Sequence, residues 1–166
     1  MPCKRTFYFE SFYKTPLPAA TGELMLRVLG DRVTGVTMLG RILVVDDNIM
    51  VRESYTELLR HRGYDVVQAG DGAQALDVLR DEAVDLAIVD VMMPVMGGLE
   101  LRQHLNAMDP MVTTILVTGQ PDRLESLMED DTDFQAGRVS VLYKPVHPVK
   151  LLAEVDKRLT LLSAAL

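Results

Sequence analysis

The chain has 166 residues, of which 48% are hydrophobic and 25% charged, and a formal net charge of -7. That length allows one domain of ordinary size plus an extension, and the composition is that of a folded chain rather than a disordered one. The acidic balance argues against sequence-independent binding of nucleic acid, the single cysteine (Cys3) excludes an internal disulfide, and no apolar run is long enough to span a bilayer. Lys4 and Arg5 are not followed by a continuous apolar stretch, so a secretory signal is a poor reading and the expected location is cytoplasmic.

Residues 1–39 differ from the rest. They hold Phe7, Tyr8, Phe9, Phe12 and Tyr13, five of the nine aromatics, and carry more basic than acidic side chains. The compositional shift places a boundary near Gly40, giving an N-terminal extension over 1–39 and a main domain over 40–166. Within the extension, Thr6 to Tyr13 and Arg32 to Leu39 have strand-like composition, and Gly22 and Gly30-Asp31 punctuate the chain as turns. A small antiparallel β add-on is one reading; an appendage without a role of its own is the other.

The main domain opens with Arg41-Ile42-Leu43-Val44-Val45, an unalternating apolar run that ends in Asp46-Asp47-Asn48. Such a run reads as a strand covered on both faces, as in the middle of a parallel sheet. Ile49 to Arg62 has helical spacing at Val51, Tyr55, Leu58 and Leu59, with Gly63 as its C-terminal cap. Asp65 to Ala69 is a second strand, and Gly70-Asp71-Gly72 turns into a helix with Ala75, Leu76 and Leu79 on its buried stripe.

Val84 to Val89 is predicted as a third strand ending at Asp90, and a helix is predicted from about Gly98 to Met108. A fourth strand spans Val112 to Val117 and ends at Thr118. Pro121 to Asp130 has a helical pattern, Val139 to Tyr143 is a fifth strand running into Lys144-Pro145, and Pro148 opens a last helix striped by Leu151, Leu152, Val155, Leu159 and Leu162. Five strands alternating with five helices predict an α/β fold with a doubly wound, five-stranded parallel sheet. No internal repeat or low-complexity segment interrupts this pattern.

In such a sheet the C-terminal strand ends share one edge, so Asp46, Asp47, Asp90, Thr118 and Lys144 converge. Close carboxylates repel one another unless a cation neutralises them, and hard oxygen donors without a His or Cys cluster favour Mg2+, with Mn2+ as an alternative. Taken singly, an Asp pair after a strand is more often a helix cap or solvated turn, and Thr-Gly and Lys-Pro are ordinary. Their order and strand-end placement carry the argument.

Those motifs are Asp46-Asp47, Asp90-Val91-Met92-Met93-Pro94 followed by Met96-Gly97-Gly98, Thr118-Gly119, and Lys144-Pro145. Over about Arg41 to Leu162 the chain resembles the receiver domain of two-component response regulators. The resemblance implies a flavodoxin-like strand order of 2-1-3-4-5. It also implies that Asp90 accepts a phosphoryl group from a histidine kinase or phosphotransfer protein. Asp46, Asp47, Asp90 and the Met92 carbonyl would hold the metal, while Lys144 and Thr118 would contact the phosphoryl oxygens. A cis Lys144-Pro145 bond is expected on the same ground.

The chain departs from that pattern in three places. The position three before the lysine, aromatic in many receivers, is Val141, and Tyr143 stands next to Lys144 as a substitute switch or as a partly buried edge aromatic. The span from Thr118 to Lys144 is longer than in compact members, with the excess near Glu129-Asp130-Asp131-Thr132-Asp133. Met92, two residues after the acceptor, cannot hydrogen-bond an attacking water, so slow loss of the phosphoryl group is expected.

Self-catalysed phosphorylation and dephosphorylation, rather than turnover of a small molecule, is the expected chemistry. Output is expected through a downstream protein or a covalently linked output domain, without direct contact to nucleic acid or membrane, and a homodimer stays open. Two alternatives also stay open: a degenerate receiver acting as a constitutive protein-binding module, and an aspartyl-phosphate phosphatase. His61, His104 and His147 show no metal spacing and are read as surface or capping residues, and at least two of Met92, Met93 and Met96 are read as packing around the site.

Overall fold

A computed structural model describes residues 39–120, Leu124 and 132–164. Apart from Leu39, the segments of the N-terminal extension read as a small β add-on lie outside the described residues, as does most of the helical pattern over 121–130. Leu124 from that stretch is helical and buried.

Apolar strand residues without alternation need cover on both faces, and the fold supplies it. Strands β1 (Arg41–Val45), β2 (Asp65–Ala69), β3 (Leu86–Asp90), β4 (Thr113–Thr118) and β5 (Val139–Tyr143) pair in parallel in the order β2-β1-β3-β4-β5. Every residue of the central strands β3 and β4 is buried. Helices α1 (Ile49–Arg62), α2 (Gly72–Asp81), α3 (Gly98–Met108), α4 (Thr132–Gln135) and α5 (Pro148–Ala164) complete the described elements.

Alternate strand residues feed two separate cores. Leu43, Val45, Ala87, Val89 and Leu116 meet Ala75 of α2 and Leu101 and Leu105 of α3 on one face. Ile42, Val44, Leu86, Ile88, Ile115 and Val117 meet Leu59 of α1 and Leu151 and Val155 of α5 on the other. This is the doubly wound sheet expected from the sequence, with the strand order that the resemblance implied. Among the described residues no helix is long and apolar enough to cross a membrane.

The helix boundaries follow from local chemistry. The Asn48 side chain accepts hydrogen bonds from the amides of Met50 and Val51, and Gly63, at φ 100°, closes α1 in a left-handed conformation that favours glycine. Asp71 caps α2 through the Gln74 amide, and Gln74 Oε1 accepts from the Gly70 amide, a reciprocal arrangement resembling a capping box.

The third strand starts at Leu86 rather than Val84, and it runs through Asp90. Asp85 just ahead of it turns its carboxylate to the Arg41 amide at 2.9 Å. The fourth starts at Thr113 rather than Val112. Helix α4 was not expected. It falls in the lengthened segment, and Asp133 within it is buried against Arg102 of α3 and Arg138.

Candidate functional site

The sheet register gathers the predicted residues. Val45 is level with Val89, so Asp46 and Asp90 follow side by side at adjacent strand ends; Asp90 is level with Val117, and Thr118 with Tyr143, which places Lys144 one step further on the same edge. The Lys144 amide donates to the Thr118 carbonyl at 2.8 Å, binding the fourth and fifth strand ends together. The Lys144-Pro145 peptide is cis, as the resemblance implied.

Side chains from three strands meet there. Lys144 Nζ lies 2.6 Å from Asp90 Oδ2 and 3.1 Å from Asp46 Oδ2. The second oxygen of each carboxylate is held from its own turn: Asp46 Oδ1 accepts from the Asn48 amide at 2.9 Å, and Asp90 Oδ1 from the Met92 amide at 3.1 Å. Asp46 and Asp90 are 2% and 5% exposed, whereas Asp47 is open to solvent. One oxygen from each of Asp46, Asp47 and Asp90 fits within a mutual spacing of 4.8 Å.

The charges do not balance. Two buried carboxylates share one ammonium, and a third carboxylate stands beside them. Burial holds the Asp46 carboxyl above its ordinary range, although the Asn48 amide and Lys144 pull the other way. Burial also pushes Lys144 down, but its bonds to Asp90 and Asp46 outweigh that and hold it raised. Lys144 thus stays charged while Asp46 is left undercompensated. An all-oxygen donor set with surplus negative charge, two of its members dehydrated, fits a hard divalent cation.

Thr118 is buried at the same edge, but its hydroxyl is engaged locally. It accepts from the Gln120 amide at 3.0 Å, and it lines a cavity of about 380 Å³ with Val91, Met92 and Leu99. Met92 is half exposed, while Met93 and Met96 pack on the core, so two of the three methionines do the packing expected of them. His61, His104 and His147 are exposed; His147 Nδ1 accepts from the Val149 amide at the start of α5. Val141 is partly buried and Tyr143 is 43% exposed, and both line a groove with Phe134 of α4.

Arg52 was not singled out from the sequence, Tyr55 was read only as part of a helix stripe, and Gly98 was quoted in the motif after the acceptor without a role. Arg52 of α1 donates from Nη1 to the Asp46 carbonyl at 2.6 Å. Its signal was a cation at the positive end of a helix dipole. Tyr55, one turn further, is half-buried, and its hydroxyl is held above its ordinary range by burial, with Lys144, Asp46 and Asp90 all close enough to act on it. Gly98 lets α3 begin against the acceptor's backbone, because a β-carbon there would fall 2.2 Å from the Asp90 carbonyl oxygen. No substituent of any size fits that gap.

Comparison with known proteins agrees with this fold. The response regulator receiver domain family matches residues 42–156. The chain belongs to that family. It is 36% identical over 123 residues to the DNA-binding response regulator MtrA of Mycobacterium tuberculosis, covering 74% of this chain and 52% of that protein. It is also 36% identical over 115 residues to the response regulator MprA of Mycobacterium avium, covering 69% and 49%.

Among solved structures, the CheY-like receiver domain protein of Methanospirillum hungatei superposes with TM-score 0.68 at 30% identity, over 75% of this chain and 97% of that one. TrrA of Thermotoga maritima, solved in complex with Mg(2+)-BeF, superposes with TM-score 0.59 at 28% identity, over 71% and 97%. This receiver therefore matches isolated receiver domains along nearly their whole length, yet spans about half the length of the curated relatives it matches.

Proposed function

We propose that Asp90 accepts a phosphoryl group from the phosphohistidine of a histidine kinase or phosphotransfer protein, and that the modified domain changes its protein contacts. The observation that carries this reading is the Lys144 ammonium bridging two buried carboxylates beside an exposed third. A buried, undercompensated cluster at strand ends is costly for stability alone and marks a place where charge is to be added or moved.

In the transfer an Asp90 oxygen attacks phosphorus in line, the P–N bond of the donor breaks, and the imidazole leaves with the electron pair and takes a proton. Asp46, Asp47, Asp90 and the Met92 carbonyl would hold Mg2+, which supplies positive charge against the attacking carboxylate and the transferred oxygens. TrrA, described with magnesium, supports that choice of metal. Lys144, already beside Asp90, is placed to pair with one phosphoryl oxygen. Thr118 exchanges its bond with Gln120 for one to another phosphoryl oxygen. The apolar Met92 side chain leaves an attacking water unoriented, so the aspartyl phosphate lasts minutes rather than seconds.

Output passes through a downstream protein or a linked output domain of the kind named for MtrA, with the receiver itself making no direct contact to nucleic acid, and the setting is cytoplasmic. Incubation with acetyl phosphate, with and without magnesium, followed by intact mass measurement tests the reading. A magnesium-dependent gain of one phosphoryl mass is expected in wild type and not in Asp90→Asn. Catalytic turnover of small phosphate esters without stoichiometric labelling would favour a phosphatase, and a chain inert in both assays would be a binding module.

A further inference from the structure

Arg52 stands where electrostatics disfavours it. The N-terminal end of a helix carries partial positive charge, and the first turn of α1 has no acidic residue to offset a cation there. Yet the side chain is half-buried and is committed to one acceptor, the Asp46 carbonyl oxygen, 2.6 Å from Nη1. The same guanidinium reaches the end of β2, where a β-carbon on Gly70 would lie 3.5 Å from Nη1. Gly70 is itself held by Gln74 Oε1 at 3.0 Å, within the cap of α2. One side chain thus bonds the turn after β1 and lies beside the turn after β2.

The carbonyl it grips matters. A peptide group is planar, so fixing the Asp46 carbonyl also fixes the Asp47 amide from whose residue the next carboxylate departs. Asp46 is already fastened elsewhere: its amide donates to the Ala69 carbonyl at 3.4 Å, and its two carboxylate oxygens are held by the Asn48 amide and Lys144. Asp47 is exposed, and among the described residues no hydrogen bond reaches its carboxylate. Its aim depends on its backbone.

We propose that Arg52 is a positioning residue for the acidic pocket, clamping the Asp46 carbonyl so that the Asp47 carboxylate faces the divalent ion; this rests on the phosphoacceptor reading above. Simple electrostatics predicts the opposite sign. A guanidinium near a cation site repels the ion, so neutralising it would tighten ion binding if it had no positioning role. The two effects can therefore be told apart by direction.

The test uses the full chain as wild type, Arg52→Gln and Arg52→Lys, with magnesium affinity measured by isothermal titration calorimetry and metal-free thermal unfolding run alongside. Loss of a residue that orients a metal ligand weakens the ion on the order of 10-fold, and that is the shift expected for Arg52→Gln. Arg52→Lys, which keeps a donor, falls between the two. Labelling by acetyl phosphate should need correspondingly more magnesium, while its rate at saturating magnesium stays close to wild type.

Equal or tighter magnesium binding by Arg52→Gln overturns the proposal, as does a lowered unfolding temperature with unchanged ion affinity. Arg52→Met, which keeps the apolar stem, carries the same comparison if the amide variant does not fold. A wild-type chain that binds no magnesium defeats the phosphoacceptor reading and the positioning role together. Normal wild-type binding with an unaffected variant defeats the role of Arg52 alone.

Discussion

Asp46 and Asp133 are both buried aspartates, and they have opposite fates. Asp133 faces two guanidiniums: Arg102 lies 3.2 Å away and Arg138 reaches it through both Nε and Nη2. Burial alone would raise its carboxyl, but these bonds and charges outweigh that and hold it below the usual carboxylate range. Asp46 shares one ammonium with Asp90 and is held above that range. A saturated buried carboxylate ties elements together, whereas an undersaturated one keeps capacity for another cation or for a charged group to react.

Substitution should separate the two sites. Asp46→Asn removes a charge that the fold tolerates poorly, so metal-free stability should hold or rise by about 1 kcal/mol in chemical denaturation. The same change should slow labelling by acetyl phosphate by about 100-fold or more, beyond the usual loss for residues that merely support a metal ligand. A large loss of stability without loss of labelling would erase the distinction.

Asp133→Asn should do the reverse. It removes the buried charge that two arginines share, one of them partly exposed and so partly screened, and should cost about 2–3 kcal/mol while leaving labelling intact. The pH dependence follows from the lowered carboxyl. Its contribution is fully present above the unfolded value of about 3.9 and is lost as pH falls through the lower folded value. The gap between wild type and Asp133→Asn should therefore be constant from neutral pH down to about 4 and shrink below it.

Two smaller effects probe the pocket's rim. Met92→Asn supplies a group that can orient water, and should shorten the aspartyl-phosphate lifetime by about tenfold, equivalent to about 1.4 kcal/mol of barrier, when decay is followed by intact mass. Val95 is exposed and held at φ 68°, where a β-branched residue is strained. Val95→Gly should raise stability by about 0.5–1 kcal/mol and leave the buried carboxylates untouched.

The sheet and the acidic edge are legible in the amino-acid sequence. Helix α1 and strands β2 and β5 fall where periodicity and turn residues placed them, because an apolar stripe ending at Gly63 or a short β-branched and aromatic run ending at Lys144 has few other solutions. The convergence of Asp46, Asp90, Thr118 and Lys144 was readable too, since parallel strands bring their C-terminal ends to one edge.

Contacts without a period were not readable. The Arg52 bond ends on a backbone carbonyl, the gap at Gly98 exists only between two backbones, and the four residues of α4 are too few to show a repeat. The saturation of Asp133 depends on Arg102, 31 residues away in sequence, which no local pattern announces. Thr118 was placed correctly, but its bond to Gln120 belongs to a turn conformation that composition does not specify.

The most direct measurement is localisation of the acquired phosphoryl group. After labelling by acetyl phosphate in magnesium, tandem mass spectrometry of the peptide that contains Leu86–Asp90 should find a single phosphoryl group on Asp90, and none when magnesium is chelated. A label on Asp46, Asp47 or Asp133, or one acquired equally well without the metal, would contradict the account.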